Sequence, residues 1–415
     1  MTRIRLIGVS LCAFLVVAAP LADRAKAQQS IGVGMVQADE DFPVSPPPSV
    51  ESRRFYLVVS EDRANGNGDA IELPVVVLAG DAARQRAPVV MLTGGPGTAG
   101  LSAAEYPGAY PWVGKHDFIV IGQRGTHHAR PALMCEGYQA TLDEGASAEQ
   151  KIAAIQECAA AAQADGIDLT SYNTAESARD LEDLRRTLGA ERLVLYGLSY
   201  GTRLALAYAR EFPDRVESLV LDSPLPFAAD YDRELPTNIE AVLRQIARRC
   251  ASEPQCAARY PQLWGRFSAA MEERTRNGPI AGEPSAAAIA LYIVPGSTDD
   301  IANAPALMDA AARGDLSPFP QDGSSAGSSG FAWGMRLSVW CSERGQGAPD
   351  PKPFAGIDAP SFAPEICKAW PVPERPADEL LDPTGEVPSE VLAAELQAPA
   401  APAWAVCGLK KMGAA

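Results

Sequence analysis

Short apolar runs alternate with polar breaks through the first half of the chain, and this pattern predicts strands and helices in turn. Arg53–Ser60 and Ile71–Leu78 are rich in Val, Leu and aromatic residues, and Asn65-Gly66-Asn67-Gly68 between them has the chemistry of a hairpin turn. Pro88–Leu92 and Phe118–Ile121 are short continuous apolar runs, ending in Thr93-Gly94-Gly95-Pro96-Gly97 and Gly122-Gln123-Arg124-Gly125-Thr126. Thr174–Leu188 has helical spacing, with Ala178, Leu181, Leu184 and Leu188 on one face and Gly189 as its stop. A strand over Leu193–Tyr196, a helix over Tyr200–Phe212 closed by Pro213, and a strand over Ser218–Leu221 follow. Continuous apolar strands alternating with helices imply an α/β fold, with a largely parallel sheet covered on both faces.

The pattern changes after Pro224. Ile239, Val242, Leu243 and Ile246 predict one amphipathic helix, and Leu263, Phe267 and Met271 another. A Gly/Ser tract at Gly323–Gly330 reads as a loop, prolines crowd Pro349–Pro376, and Val387–Leu392 is the last strand-like run. The expected division is a core over 49–223, a mainly helical cap over 224–382, and a second core piece over 383–415.

The N-terminus reads as an export signal. Arg3 and Arg5 precede the apolar stretch Leu6–Ala19, and Ala25-Lys26-Ala27 has the small-x-small form of a cleavage site. Residues 1–27 are therefore expected to be removed, leaving an extended or loose, flexible Pro-rich leader over 28–48 and placing the protein in the periplasm or outside the cell. No later segment is long and apolar enough to span a bilayer. Export makes disulfides the natural reading of the seven cysteines beyond Cys12, which lies in the expected signal. Proximity in sequence suggests Cys135–Cys158, Cys250–Cys256 and Cys341–Cys367, leaves Cys407 unpaired, and no spacing resembles a zinc site. The net charge of −16 argues against nucleic acid and anionic membrane as partners.

The chemistry centres on Leu193-Val194-Leu195-Tyr196-Gly197-Leu198-Ser199-Tyr200-Gly201-Thr202. An apolar run ending in Gly-x-Ser-x-Gly and leading into a helix is the pattern of a nucleophile elbow. Gly197 and Gly201 are expected to be glycine because a Cβ would collide with the neighbouring strand or the turn.

With Gly94-Gly95-Pro96-Gly97, Gln123-Arg124-Gly125-Thr126, Val339-Trp340-Cys341-Ser342-Glu343 and Cys367-Lys368-Ala369-Trp370, this segment resembles the prolyl-aminopeptidase and tripeptidyl-aminopeptidase branch of the α/β-hydrolases. The resemblance covers about residues 50–405. It implies an α/β-hydrolase fold with a helical lid and a serine peptidase mechanism without cofactor or metal. Its substrate would be a short peptide or small ester. Ser199 matches the nucleophile, and the N–H groups of Tyr200 and of Gly94 or Gly95 match the oxyanion hole. Lid carboxylates in the family bind the substrate amine. Glu343 is the candidate here, set against the plainer reading of a solvated glutamate beside a disulfide.

The chain also departs from the family. Gln397 stands where the family has the acid, Gly122 where an Asp precedes Gln-Arg-Gly, and no histidine follows Ser199 in this sequence. His127 and His128 follow a strand whose end faces the site, whereas His116 precedes that strand and belongs to the opposite end. The expectation is thus an aminopeptidase-like hydrolase with a truncated or degenerate C-terminal region. The alternative is an impaired pseudoenzyme or peptide-binding protein. A poorly folding product with an exposed sheet edge is the third reading.

Overall fold

In a computed structural model, the described residues are 34–38, 41–64, 69–81, 86–143, 146–229, 231–278, 280, 282–294, 298–320, 330–343, 354–356, 364–383 and 390–394. The expected signal segment, the hairpin turn at 65–68, Gln397 and Cys407 lie outside them.

Among the described residues eight strands form one sheet: β1 (Gly34–Gln37), β2 (Ser52–Ser60), β3 (Ala70–Leu78), β4 (Val89–Leu92), β5 (Phe118–Ile121), β6 (Leu193–Leu198), β7 (Val216–Asp222) and β8 (Glu390–Ala394). Their order is β1-β2-β3-β5-β4-β6-β7-β8. From β5 to β8 every neighbouring pair is parallel, and β1, β2 and β3 are added at the β5 edge through antiparallel pairs.

Alternate side chains of β3, β4 and β5 enter two different cores, which is why these strands read as continuous apolar runs. Leu73, Val75 and Val77 of β3 pack on one face with helix residues Ala178, Leu181, Leu184 and Leu204. Val76 and Leu78 pack on the other with Phe42, Val44, Leu101 and Phe118.

Among the described residues the helices are α1 (Glu136–Asp143), α2 (Ala148–Ala164), α3 (Thr174–Thr187), α4 (Tyr200–Glu211), α5 (Tyr231–Ser252), α6 (Pro254–Arg259), α7 (Leu263–Asn277), α8 (Ala286–Ile293), α9 (Thr298–Ala312), α10 (Trp333–Glu343) and α11 (Pro364–Ala369). The apolar positions expected on α5 and α7 do meet. Ile239, Leu243, Ile246, Leu263, Phe267 and Met271 share a core with Ile289 of α8 and Met308 of α9. Helix α10 belongs elsewhere: Leu337, Val339 and Trp340 pack with Tyr138, Ile155, Tyr172 and Tyr200. The expected cap is therefore two packing units, one self-contained and one fused to the core.

Two features differ from the sequence reading. Part of the leader is extended and, beyond the sequence expectation, joins the sheet: Gly34–Gln37 pairs with β2, from Gly34 opposite Val58 to Gln37 opposite Phe55. The outer edge of β2 offers unpaired backbone groups, and a short strand satisfies them even though Met35 and Val36 stay exposed. Helices α1 and α2 are not marked by the apolar pattern, because alanine-rich α2 carries almost no apolar period. Its start is nevertheless written in the sequence. Ser147 accepts from the Gln150 N–H and Gln150 accepts from the Ser147 N–H, a capping box.

The three suggested cysteine pairs are the ones bonded: Cys135–Cys158, Cys250–Cys256 and Cys341–Cys367. Among the described residues no helix is long and apolar enough to cross a membrane.

Candidate active site

Strand order reverses around β4, since β5 lies on one side of it and β6 on the other. Loops leaving the carboxyl ends of strands at such a switch point line a crevice. Here they are the turn after β6, which carries Ser199, and the Thr93–Thr98 loop after β4.

Ser199 has φ 54° and ψ −120°, a backbone conformation that L-residues rarely adopt. Such strain persists only where the surroundings over-determine it, at about 1–3 kcal/mol. The Ser199 N–H donates to the Asp222 carbonyl at 2.9 Å. The Ser199 carbonyl accepts from the Thr202 N–H at 2.9 Å and from Thr202 Oγ1 at 2.6 Å. Thr202 Oγ1 in turn accepts from the Leu225 N–H at 2.7 Å. The flanking glycines are required by contact. A Cβ at Gly197 would lie 2.5 Å from the Gly201 carbonyl oxygen, and one at Gly201 would lie 2.0 Å from that of Leu92.

The Thr93–Thr98 loop comes close to the serine. A Cβ at Gly94 would sit 3.4 Å from Ser199 Oγ. Four loop carbonyls are each given a donor. Thr93 accepts from Gln123 Nε2 at 3.0 Å, Gly95 from Arg336 Nη1, Gly97 from the Ala332 N–H at 3.0 Å, and Thr98 from Thr93 Oγ1 at 2.9 Å. Carbonyls tied back this way do not compete for the space beside Ser199, and Gly94 and Gly95 are half-buried there. Tyr200 begins α4 directly after Ser199, so its N–H is one of the unbonded donors at a helix N-terminus. Its side chain is fully buried, with its hydroxyl 2.9 Å from Thr174 Oγ1.

Glu343 is not the solvated glutamate of the plainer reading. It is 4% exposed, and its oxygens accept from the Thr174 N–H at 2.6 Å and from Thr174 Oγ1 at 2.7 Å. Burial raises its carboxyl above the ordinary range, against the opposing pull of Arg203 and of these hydrogen bonds. A substrate amine would have to displace Thr174 to reach these two oxygens along the same directions.

The histidines divide as expected between the ends of the sheet. His116 precedes β5, with Nδ1 2.8 Å from the Ala87 carbonyl oxygen. His127 and His128 follow β5 on the Ser199 side, their rings stacked with centroids 3.8 Å apart. Burial and the neighbouring His127 lower the pKa of His128. Among the described residues no side chain hydrogen-bonds Ser199 Oγ.

The Gln-Arg-Gly segment is structural around its arginine. Arg124 is fully buried, donates to both Asp180 oxygens at 2.8 Å, and reaches the carbonyls of Glu61 and Ser171. Gly122 is also accounted for, since a Cβ there would meet Pro74 Cγ at 2.8 Å.

Sequence reasoning passes over Asp222 and Arg336. Asp222 ends β7 opposite Leu198, and its carboxylate accepts from Tyr196 Oη at 3.1 Å. Burial together with this carboxylate pushes the Tyr196 phenol up to about 12. An Asp closing the strand beside the elbow strand is a readable signal. Arg336 gives none, because Gly95 lies 241 residues away from it.

Residues 87–257 match the family described as the alpha/beta hydrolase fold. The chain is 32% identical over 210 residues to the serine protease Hip1 of Mycobacterium tuberculosis, covering 46% of this chain and 38% of that protein. It is 29% identical over 185 residues to the tripeptidyl aminopeptidase of Streptomyces coelicolor, covering 40% and 34%. It is 28% identical over 191 residues to the proline iminopeptidase of Neisseria meningitidis serogroup B, covering 46% and 44%. The matches thus span less than half the length of each of these relatives. Together with the strand order, the elbow and the glycine loop, they show an α/β-hydrolase fold, in a chain similar to relatives named as peptidases.

Proposed function

We propose that this protein is an exported serine hydrolase, an aminopeptidase-like enzyme that cleaves short peptides or small esters through an acyl-enzyme on Ser199. The observation that carries the reading is the strained Ser199 turn facing the glycine loop, with Ser199 Oγ 3.4 Å from a Gly94 Cβ position. Ser199 Oγ attacks the substrate carbonyl carbon and its proton passes to a base. The carbonyl oxygen takes up negative charge and is met by the N–H groups of Tyr200 and of Gly94 or Gly95. Collapse of the tetrahedral species expels the amine or alcohol, and water releases the acid. The three disulfides support the exported part of the reading.

A second reading rests on Gln397, which the family resemblance aligns with the carboxylate that orients the base. A glutamine there cannot stabilise an imidazolium, and the analogous neutralisation in a serine protease lowers turnover by about 10⁴. The protein would then bind peptides and turn them over slowly.

Both readings are tested with a p-nitrophenyl ester and a fluorophosphonate, following p-nitrophenol release and intact mass. The expected result is an adduct on Ser199 that Ser199→Ala abolishes while the fold is retained. Continuous turnover supports the hydrolase, and a stoichiometric adduct with negligible turnover supports the impaired protein. Labelling that survives Ser199→Ala overturns both.

A further inference from the structure

We propose that Arg336 of α10 is a positioning residue that holds the oxyanion loop in its donor-ready conformation. This rests on the reading of Ser199 and the glycine loop given above.

The loop cannot hold its own shape. Gly94 and Gly95 have no side chain to restrict them, and Gly95 has φ 113°, a region open to glycine. The Gly95–Pro96 peptide has no N–H, so that unit can present only a carbonyl to its surroundings. Turned toward Ser199, this carbonyl would place a partial negative charge where the oxyanion develops. Turned away, it leaves the space to the N–H groups of Gly94 and Gly95. Arg336 Nη1 donates to this carbonyl and keeps it turned away.

The guanidinium is itself placed by its surroundings. It lies 5.5 Å from the Phe331 ring centroid and 5.9 Å from those of Trp333 and Trp340, within the range of cation–π attraction. One turn upstream, the Ala332 N–H donates to the Gly97 carbonyl. A Cβ at Gly97 would lie 2.7 Å from the Ala332 carbonyl oxygen and 3.2 Å from the Phe331 ring, so the two segments are in direct contact. Two of the four pinned loop carbonyls therefore depend on α10 and the residues leading into it. The other two are held without it, Thr93 by Gln123 after β5 and Thr98 from within the loop by Thr93.

Helix α10 can transmit this hold because it is anchored to the core at several points. The Gly334 N–H donates to the Leu133 carbonyl at 2.8 Å, and Trp333 Nε1 to Gln139 Oε1 at 2.6 Å. Glu343 caps α3 through Thr174, and Cys341 is bonded to Cys367.

The test compares the wild type with Arg336→Met, which keeps an unbranched apolar stem, and Arg336→Lys, which restores a cationic donor. Amide hydrogen exchange over Gly94–Thr98 is measured alongside the rate and saturation constants for Ser199 acylation by a p-nitrophenyl ester. Retention of the fold is monitored by near-ultraviolet circular dichroism and thermal melting. In Arg336→Met, exchange over the loop should rise at least tenfold while exchange over β6 and α4 stays unchanged. The acylation rate should fall about 10- to 100-fold, less than the roughly 10²–10³ associated with removing a direct oxyanion donor, with the saturation constant little altered. Arg336→Lys should recover part of both effects. Loop exchange unchanged in a folded Arg336→Met overturns the proposal, whatever happens to the rate. So does a loss shared equally by Arg336→Lys and spread over the whole molecule, which marks a fold residue. If loop exchange rises but no variant, wild type included, is acylated on Ser199, the hold on the loop stands and the hydrolase reading falls.

Discussion

Glycine at 197 and 201 is the condition under which Ser199 can adopt its strained backbone. Sterics alone called for glycine at both positions, and the contacts are of that kind: backbone carbonyl oxygens, which cannot move aside as a flexible side chain could. The two positions differ in degree. A methyl at Gly201 would enter to within 2.0 Å of the Leu92 carbonyl oxygen, so α4 would have to slide away from β4. Gly201→Ala is therefore expected to destabilise the fold by about 3 kcal/mol, the upper end of the range for overpacking, and to displace Ser199. Denaturant unfolding reports the first effect and fluorophosphonate labelling the second. A variant of wild-type stability with normal labelling would mean that the elbow is looser than these contacts allow. Gly122 is also required by contact, here with the rigid ring of Pro74 rather than a carbonyl oxygen. From sequence it stands out as a departure from a family pattern, whereas in the fold it is the residue that lets β5 pass Pro74.

At the scale of elements, α10 is where the sequence pattern and the fold part company. Strands β2 to β7 are legible because burial on both faces writes a continuous apolar run, and α3, α5 and α7 because burial on one face writes a period. Helix α10 obeys neither rule. Gly334 through Glu343 are nearly all buried, so no polar face marks it, and partners of Arg336, Ser338 and Glu343 lie far away in sequence. Glu343 is the clearest case, since it bonds Thr174 at the start of α3. A pH dependence follows from that burial. The folded-state carboxyl pKa is raised above its ordinary value of 4.5, so the fold favours the protonated form. The corresponding stabilisation is complete below the ordinary carboxyl value and is lost as pH rises through the raised one. Glu343→Gln keeps the shape and cannot titrate. Its stability should therefore fall less than that of the wild type as pH is raised from about 5 toward 8. Unfolding curves across that range decide the matter, and parallel pH profiles for the two proteins would remove Glu343 as the source of the slope.

For the whole molecule, the strand order is beyond the sequence, since each run fixes that a strand exists and not which neighbour it takes. The cysteines are the exception: proximity in sequence suggests three pairs without fixing the connectivity, and those are the pairs bonded. Their placement links the two helical packing units to different fates. Cys250–Cys256 closes six residues inside the self-contained unit, between α5 and α6, whereas Cys341–Cys367 closes 26 residues and ties α10 to α11. Cross-linking restricts the unfolded chain more as the closed loop lengthens, which gives about 2 kcal/mol for the shorter bridge and about 3.5 kcal/mol for the longer. Replacing Cys341 and Cys367 together by serine should thus cost the fold roughly 1 kcal/mol more than replacing Cys250 and Cys256. The functional consequences should separate further. Freeing α11 loosens the carboxyl end of α10, the helix that holds the Gly95 carbonyl, while opening the α5–α6 bridge leaves that helix untouched. Under conditions where both double variants remain folded, Ser199 acylation should slow in the Cys341/Cys367 variant and persist in the Cys250/Cys256 variant. Melting curves and acylation rates on the same preparations measure both differences, and equal rates in the two variants would show that α10 keeps its place without its disulfide.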